Sequence, residues 1–193
     1  MSKKSEIVSE TFSLFAQKGY EFTLSDVAKV VGIKKQSIYN YFNNKEDLIE
    51  QMLIKYIEEY FSVFKMIRKK SIQMETKDKL LIICSSISKY FEDSQKLLVR
   101  KRIGLDKNKL PRRVYEILDK YEKYVSNMIY EIFKEGIRNK QIRNQEIENI
   151  HSYFIILIRG LIDGLFVLEA QNDREKFVNN MFEMFWKQIK TRI

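Results

Sequence analysis

The segment Thr23–Lys45 has the sequence TLSDVAKVVGIKKQSIYNYFNNK, which predicts two short helices joined by a tight turn. Thr23 is a good N-cap residue, and Asp26 three positions later completes a capping-box pattern. Gly32 lies where the first helix must end, because glycine adopts the left-handed backbone that such an end requires. Together these features predict a helix-turn-helix, a motif whose second helix enters the major groove of DNA.

The second predicted helix has an apolar face and a polar face. Ile38, Tyr41 and Phe42 are expected to face inward. Gln36 and Asn40 are expected to hydrogen-bond to adenine edges and so to select the base sequence. Lys34, Lys35 and Lys45 are expected to contact phosphates and position the protein on the DNA. The alternative is that these polar residues are only solvated. The candidate DNA-binding residues are Thr23, Lys34, Lys35, Gln36, Ser37, Tyr39, Asn40, Tyr41 and Lys45.

The flanks extend this motif into a longer pattern. An apolar helix face upstream stops at Gly19, and a cap followed by acidic residues starts a long helix after Phe42. The pattern G-Y-x-x-T-x-x-D-V-A-x-x-x-G-I-x-x-x-S-I-Y-x-Y-F-x-x-K-E-D-L, between Gly19 and Leu48, resembles the TetR family of bacterial transcriptional regulators. Gln36 departs from the family pattern, which usually has glycine or another small residue at this position. The matching residues are Gly19, Tyr20, Thr23, Asp26, Val27, Ala28, Gly32, Ile33, Ser37, Ile38, Tyr39, Tyr41, Phe42, Lys45, Glu46, Asp47 and Leu48.

Composition predicts an all-α protein of about nine helices. The 193 residues include only one proline and six glycines, and Ile, Leu, Lys and Glu are frequent. The longest apolar run, Tyr153–Ile158, is far shorter than the ~20 residues needed to span a bilayer, and the N-terminal residues lack a signal-peptide pattern. The single cysteine, Cys84, excludes an intrachain disulfide and fits a reducing cytoplasm. We therefore expect a cytoplasmic protein with no membrane partner.

The net charge of +9 is unevenly distributed along the chain. Residues 1–50 contain seven lysines and seven acidic residues, whereas residues 51–110 contain fourteen basic and seven acidic residues. Phosphate affinity near the predicted helix-turn-helix must therefore come from local lysines and not from the net charge. The basic run Arg100–Arg102, with Arg112 and Arg113, either meets an anionic head group such as a carboxylate or acyl thioester, or forms a solvated face.

A composition shift near Lys45 marks the expected domain boundary. Residues 1-46 would form the helix-turn-helix DNA-binding domain. The resemblance implies that residues 47-193 form a helical domain for effector binding and dimerisation. Aromatic and methionine side chains at helical spacing suit an apolar effector, although such a stripe is also typical of an ordinary core. The candidate pocket residues are Phe64, Ile83, Cys84, Ile87, Phe91, Tyr121, Val125 and Met128.

The segment Arg159–Leu165 is similar to the penultimate helix of the family. Its two glycines, four residues apart, allow another helix to approach closely. Either this is ordinary packing within the chain, or it forms a dimeric four-helix bundle together with Arg174–Ile189. The candidate dimer residues are Tyr153, Ile156, Gly160, Asp163, Gly164, Val167, Phe182, Phe185 and Trp186.

Motifs for catalysis are absent from the sequence. It has no Gly-rich phosphate loop, no His/Cys/Asp cluster at metal-ligand spacing and no paired nucleophile and histidine, so we expect no enzyme, cofactor or metal. The only histidine, His151, is interpreted as a helix-surface or packing residue. The resemblance implies a repressor that binds a palindromic double-stranded DNA operator as a homodimer and is released by a small apolar or amphipathic effector. The alternative is a DNA-bound architectural or interaction protein with no small effector.

Overall fold

The computed structural model describes residues 2–105, 107–167 and 174–191. This part of the chain is all-α, as predicted, with nine α-helices and no named strand. Short 3-10 turns follow α1, at Gly19–Glu21, and α6, at Lys107–Lys109. The helices are α1 Lys3–Lys18, α2 Leu24–Val31, α3 Lys35–Ile38, α4 Lys45–Lys70, α5 Thr76–Tyr90, α6 Ser94–Leu105, α7 Arg112–Arg138, α8 Ile147–Val167 and α9 Arg174–Ile189.

The helices belong to two compact units. Unit 1 consists of Met1–Glu59 and Asp93–Asp119, and unit 2 consists of Tyr60–Glu92 and Lys120–Ile193. These two units are defined by which parts of the chain pack together. The boundary predicted between residues 46 and 47 is instead a functional one, between a DNA-binding domain and a domain for effector binding and dimerisation. That functional division stays a prediction.

Unit 1 is organised around α1, which packs against α2 and α6. Ile7 and Phe15 supply the fully buried part of its apolar face. The helix ends at Gly19, whose φ of 60° is a left-handed value that favours glycine. The Arg102 side chain from α6 lies against this glycine, and its Nη2 donates to the carbonyl of Gln17 at 2.8 Å. A cation at the C-terminus of a helix is stabilised by the exposed carbonyls there.

Unit 2 has a core of aromatic side chains from α7, α8 and α9. Phe133, Phe154 and Phe185 approach one another with ring centroids 5.2 to 6.3 Å apart. In the same unit, α5 packs on α8 and α9. Lys79 on α5 is buried, and its Nζ lies 2.7 Å from a carboxylate oxygen of Glu135. The pairing compensates for the cost of burying that charge.

Some helix ends differ from those that the sequence pattern predicts. The pattern predicts Thr76 as the cap of α5, but Thr76 is the first helical residue and Glu75 is the N-cap. The Thr76 hydroxyl instead donates to the side chain of Gln141. The pattern also predicts a loop over residues 104–110, but α6 continues through Leu105, because Gly104 has an ordinary helical conformation here. For α8 the pattern predicts a helix from residue 144 or 145 to about residue 170. The helix begins at Ile147, and residue 170 lies outside the described residues.

Candidate nucleic-acid interface

The first helix of the motif begins with a complete capping box. The Thr23 hydroxyl accepts from the backbone N–H of Asp26 at 3.1 Å, and the Asp26 carboxylate accepts from the backbone N–H of Thr23 at 2.7 Å. The backbone hydrogen bond from Thr23, followed by its side-chain bond and the nearby Lys18, lowers the pKa of Asp26. Lys18 Nζ lies 3.3 Å from this carboxylate. The capping pattern predicted from the sequence is confirmed, and it fixes the start of α2 in unit 1.

The turn between α2 and α3 depends on the backbone of Gly32. Its φ of 71° and ψ of 34° are left-handed, as predicted. The N–H groups of Gly32 and Ile33 both donate to the carbonyl of Ala28, so the turn satisfies the end of α2. Val27 and Ala28 are buried beneath it. This turn sets the direction in which α3 leaves α2.

The segment of residues 35–42, which we call the reading segment, is a short helix followed by a turn. The α-helix covers only Lys35–Ile38, and the N–H groups of Tyr41 and Phe42 then bond to the carbonyl of Ile38. Ile38 and Phe42 are fully buried, as predicted. Tyr41 was expected to face inward with them, but it is 38% exposed. The reason is that the tight turn after residue 38 rotates residue 41 away from the face that a continuous helix would present.

The polar side chains of this segment face solvent on unit 1. Tyr39 is 51% exposed, Gln36 and Asn40 are exposed, and Ser37 is half-buried. The lysines at positions 34 and 35 are also exposed. All these side chains are therefore accessible, which base and phosphate contacts require. Their individual contacts with DNA stay predictions.

The side chain of Lys45 makes contacts within unit 1. It is the first residue of α4 and is half-buried. Its Nζ donates to the backbone carbonyl of Tyr20 at 2.5 Å and lies 4.9 Å from the centre of the Phe22 ring. The start of α4 is also capped, because the Asn44 side chain accepts from the N–H of Asp47 at 2.8 Å. The predicted phosphate contact would therefore come from a side chain that already holds the helix start to the turn after α1.

A further cation lies beside the reading segment. Lys4 Nζ on α1 lies 5.3 Å from the centre of the Phe42 ring. Lys4 is not among the candidate DNA-binding residues that the sequence pattern indicates. The basic pair Lys3–Lys4 at the start of the first predicted helix was the available signal, but it does not tell which element the pair lies beside.

The predicted effector-pocket residues belong to unit 2 and are closely packed. Tyr121 is half-buried and stacks on Phe61, with ring centroids 4.9 Å apart and planes at 9°. Met128 is also half-buried. Burial raises the pKa of the Cys84 thiol to about 12, so this group stays protonated and behaves as a small apolar side chain. The other predicted lining residues are all buried at 8% exposure or less: Phe64, Ile83, Ile87, Phe91 and Val125.

The predicted dimer residues divide into exposed and buried groups. Phe182, Phe185 and Trp186 are buried in unit 2, so their place on a dimer surface is corrected to the core. The face of α9 that was expected to meet a second copy is covered within this chain. The side chain of Val167 lies outside the described residues. The exposed or half-exposed members are Tyr153, Ile156, Gly160, Asp163 and Gly164.

The described residues contain no group of three or more His, Cys, Asp or Glu placed to hold a metal ion. His151 is half-buried on α8, with its Nε2 3.1 Å from both the hydroxyl and the carbonyl oxygen of Ser126. This position agrees with the packing role predicted for it. Across the described helices, none is long and apolar enough to cross a bilayer.

The helix-turn-helix segment matches known proteins. A family model of the bacterial regulatory proteins of the tetR family matches residues 7–52. Across 95% of this chain and 93% of the relative, the chain is 25% identical to the uncharacterized HTH-type transcriptional regulator YvaF of Bacillus subtilis (strain 168). The N-terminal quarter of the chain is therefore similar to the tetR family of bacterial regulatory proteins. The resemblance expected from Gly19 to Leu48 is confirmed.

Two other similarities concern a curated regulator and a solved structure. The chain is 45% identical over 49 residues to IcaR of Staphylococcus aureus, the negative transcriptional regulator of the biofilm operon icaADBC, and the match covers 25% of this chain and 26% of IcaR. The fold is similar to that of the transcriptional regulator FadR from Bacillus subtilis, solved in complex with stearoyl-CoA, with a TM-score of 0.72 and 19% identity. That similarity covers 94% of this chain and 96% of FadR, so the shared fold extends well beyond the helix-turn-helix.

Proposed function

We propose that this chain is a ligand-responsive repressor of the TetR family that binds a palindromic DNA operator as a homodimer. The observation that carries the proposal is the two-faced reading segment in unit 1. Ile38 and Phe42 anchor it in the core, while Gln36, Tyr39 and Asn40 remain accessible. Accessible amide side chains on an anchored helix-turn-helix suit base-edge contacts in a major groove.

The direction of regulation is supported by one relative. IcaR is named as a negative regulator, and its 45% identity to this chain extends over 49 residues. A repressor needs only to occupy its operator tightly, and the cap of α2 and the turn at Gly32 already fix the reading segment within unit 1. We therefore assign repression.

Dimerisation is supported by an exposed stripe on α8. Tyr153 is 49% exposed and Ile156 is 64% exposed, and Gly160 and Asp163 follow on the same helix face at spacings of three and four residues. Apart from Gly160 itself, its chain neighbours and the backbone of its own helix, no described heavy atom lies within 4 Å of the position that a Cβ on Gly160 would occupy, so this face has room for another helix. A second copy of α8, together with the exposed face of α9 that carries Met184, would complete a four-helix bundle.

A dimer explains how one short reading segment becomes selective. Two copies related by a two-fold axis would read two half-sites about one helical turn apart, roughly 34–36 Å. An effector that prefers another spacing would lower operator affinity, but only by the difference between its affinities for the two states.

The effector is proposed to bind in unit 2 between the aromatic and aliphatic residues near Phe91 and Tyr121. The walls are apolar, which suits an apolar or amphipathic molecule. FadR, which has the same fold, was solved with stearoyl-CoA, and a fatty acyl thioester is accordingly the first compound class to test. Because Phe64, Ile83 and Phe91 are almost fully buried, the effector must part these side chains to enter.

The same close packing favours a second candidate function. A DNA-bound architectural or interaction protein on this fold needs no effector, and a packed interior in place of a pocket is what such a protein would have. Titration with an acyl thioester separates the two functions. Stearoyl-CoA should release a fluorescent operator duplex from the repressor, whereas coenzyme A without an acyl chain should not. An architectural protein would keep its duplex in both titrations.

Selection of bound duplexes from a random pool tests DNA reading, and analytical ultracentrifugation tests assembly. We expect a two-fold symmetric consensus and a dimer. Ile156→Asp should give a monomer and weaken operator binding by more than tenfold, because a charge enters the proposed interface. Ile72→Asp is the matched control, since Ile72 is 75% exposed and lies outside α8. A monomeric wild type, or a consensus without symmetry, would contradict the proposal.

A further inference from the structure

The strongest concentration of positive charge lies in the segment Lys96–Arg113. It contains eight Lys or Arg residues and one acidic residue, whereas residues 1–50 are neutral. From sequence alone, this charge suits either an anionic effector head group or a solvated face. In the structure the segment belongs to unit 1, together with the reading segment, while the candidate pocket residues belong to unit 2.

Two contacts place the basic segment, as we call Lys96–Arg113, beside the turn between α1 and α2. Arg102 packs on Gly19 and donates to the carbonyl of Gln17. Further along, Lys109 Nζ lies 5.6 Å from the centre of the Tyr20 ring, and the Tyr20 hydroxyl donates to the Lys109 carbonyl at 3.5 Å. Arg102 near the end of α6 and Lys109 before α7 therefore both lie against this turn.

The same turn borders the candidate nucleic-acid interface. The Tyr20 carbonyl accepts from Lys45 Nζ, and Thr23, the N-cap of α2, is three residues further along the chain. Tyr20 thus contacts Lys45 through its backbone carbonyl and Lys109 through its side chain. One residue therefore touches both the candidate interface and the basic segment.

Four of the cations in this segment face solvent. Lys101, Lys109, Arg112 and Arg113 are exposed. Arg112 pairs with Glu116 at 2.8 Å, and Arg113 reaches Glu50 at 3.5 Å. Ion pairs between exposed side chains contribute little free energy, so a phosphate can exchange with these carboxylates at low cost.

We propose that the basic segment is a second contact with the DNA backbone. It binds phosphates that flank the half-site contacted by the reading segment. This inference rests on the proposed function, because it requires that the reading segment bind an operator. Charge complementarity and the shared residue Tyr20 favour DNA over a small anion. The contact positions the protein and adds affinity without base selectivity.

The test uses the full-length protein and the duplex selected from the random pool, in two lengths. The short duplex contains the consensus alone, and the long duplex adds ten base pairs of arbitrary sequence on each side. The test variant is the triple substitution Lys101→Gln, Lys109→Gln and Arg112→Gln. The control is Lys69→Gln, Lys70→Gln and Lys187→Gln, which removes the same charge from exposed positions of unit 2.

We expect the test variant to bind the long duplex on the order of tenfold more weakly than wild type. Each lost phosphate contact should reduce the slope of log affinity against log salt by about 0.9, so the slope should fall by about two to three on the long duplex. The short duplex, the selected consensus and the control variant should be unaffected. Thermal unfolding of both variants shows whether a loss comes from misfolding, and single substitutions at Lys101 and Arg112 then replace the triple variant.

Four results would overturn the inference while the proposed function stands. Wild type could gain no affinity from the flanks, both duplexes could weaken equally, or the control could lose as much as the test variant. A fourth is that coenzyme A binds wild type but not the test variant while the salt slope stays unchanged, which would assign the segment to a small polyphosphate. If wild type selects no duplex at all, the proposed function fails first.

Discussion

The amino group of Lys45 donates a hydrogen bond to the backbone carbonyl of Tyr20 at 2.5 Å, which ties the first turn of α4 to the end of α1. The Phe22 ring lies below the same ammonium, at 4.9 Å from its centroid. An ammonium group has three hydrogens, so one bond to a carbonyl leaves two donors for a phosphate oxygen. Lys45 can therefore hold unit 1 in shape and contact the DNA backbone at the same time.

Lys45→Met should reveal both roles of this side chain. It keeps the aliphatic stem but removes the charge, so we expect operator affinity to fall about equally on all sequences and the salt slope to decrease by about 1. Loss of the bond to Tyr20 should also lower the free energy of unfolding by about 1 kcal/mol. Fluorescence anisotropy at several salt concentrations and urea titration measure these effects. Lys55→Met, at an exposed position of the same helix, is the control. A loss confined to one operator sequence would be evidence against the phosphate role.

Gln36→Ala and Asn40→Ala should change which bases are preferred. Each amide is accessible and can pair with an adenine edge, so we expect a loss of about 1–3 kcal/mol in discrimination at one position per half-site. The salt slope should stay constant because no phosphate contact is lost. Repeating the duplex selection with each variant measures the preference directly. An unchanged consensus for both variants would show that neither side chain reads a base.

Gly32→Ala should destabilise the protein through its backbone alone. The φ of 71° is left-handed, and apart from Gly32 and its two chain neighbours no described heavy atom lies within 4 Å of the position of an added Cβ. We therefore expect a cost of about 1 kcal/mol in urea unfolding, and a smaller cost for Gly32→Asn, because asparagine tolerates this conformation. Gly104→Ala is the control with the opposite sign, since Gly104 is helical and also has open space, so alanine should stabilise by about 0.5–1 kcal/mol. Equal effects at both glycines would contradict this explanation.

The capping box should make stability depend on pH through Asp26. Its carboxylate accepts from the Thr23 N–H, which lowers its pKa below the ordinary value of 3.8. A lowered pKa in the folded state means that the stabilisation is complete above that ordinary value and disappears as the pH falls through the folded-state value. Wild type should therefore exceed Asp26→Asn in melting temperature at pH 7, and the difference should shrink below pH 3.8. A difference that stays constant between pH 7 and pH 3 would rule out the carboxylate charge as its source.

The features predicted well from the sequence act over a few residues. The reciprocal bonds of Thr23 and Asp26 and the left-handed backbone of Gly32 involve neighbours within four positions, so residue type and spacing determine them. The ends of α1 and α9 were predicted for the same reason. Tyr41 was misplaced because the pattern assumed a continuous helix where the chain makes a turn after Ile38.

The sequence indicates correctly which side chains are apolar or charged, but not which helix or molecule each surface meets. The spacing of Phe182, Phe185 and Trp186 correctly indicates that these side chains are buried, but the same stripe suits a second copy or a neighbouring helix. In this chain α9 buries its stripe against α5 and α8. Likewise the charges from Lys96 to Arg113 are evident in the sequence, but their place beside Tyr20 depends on how α1 packs against α6.

Unit 1 is assembled from two separated stretches of chain, and this matters to anyone who wishes to transplant its operator preference onto another regulator. A splice at residue 46 would leave Ser13 and Gln17 on α1 without Gln95 and Arg102, which bond to them from α6. A working graft must carry both stretches, Met1–Glu59 and Asp93–Asp119, because the recipient's own sixth helix would have to reproduce these bonds by chance.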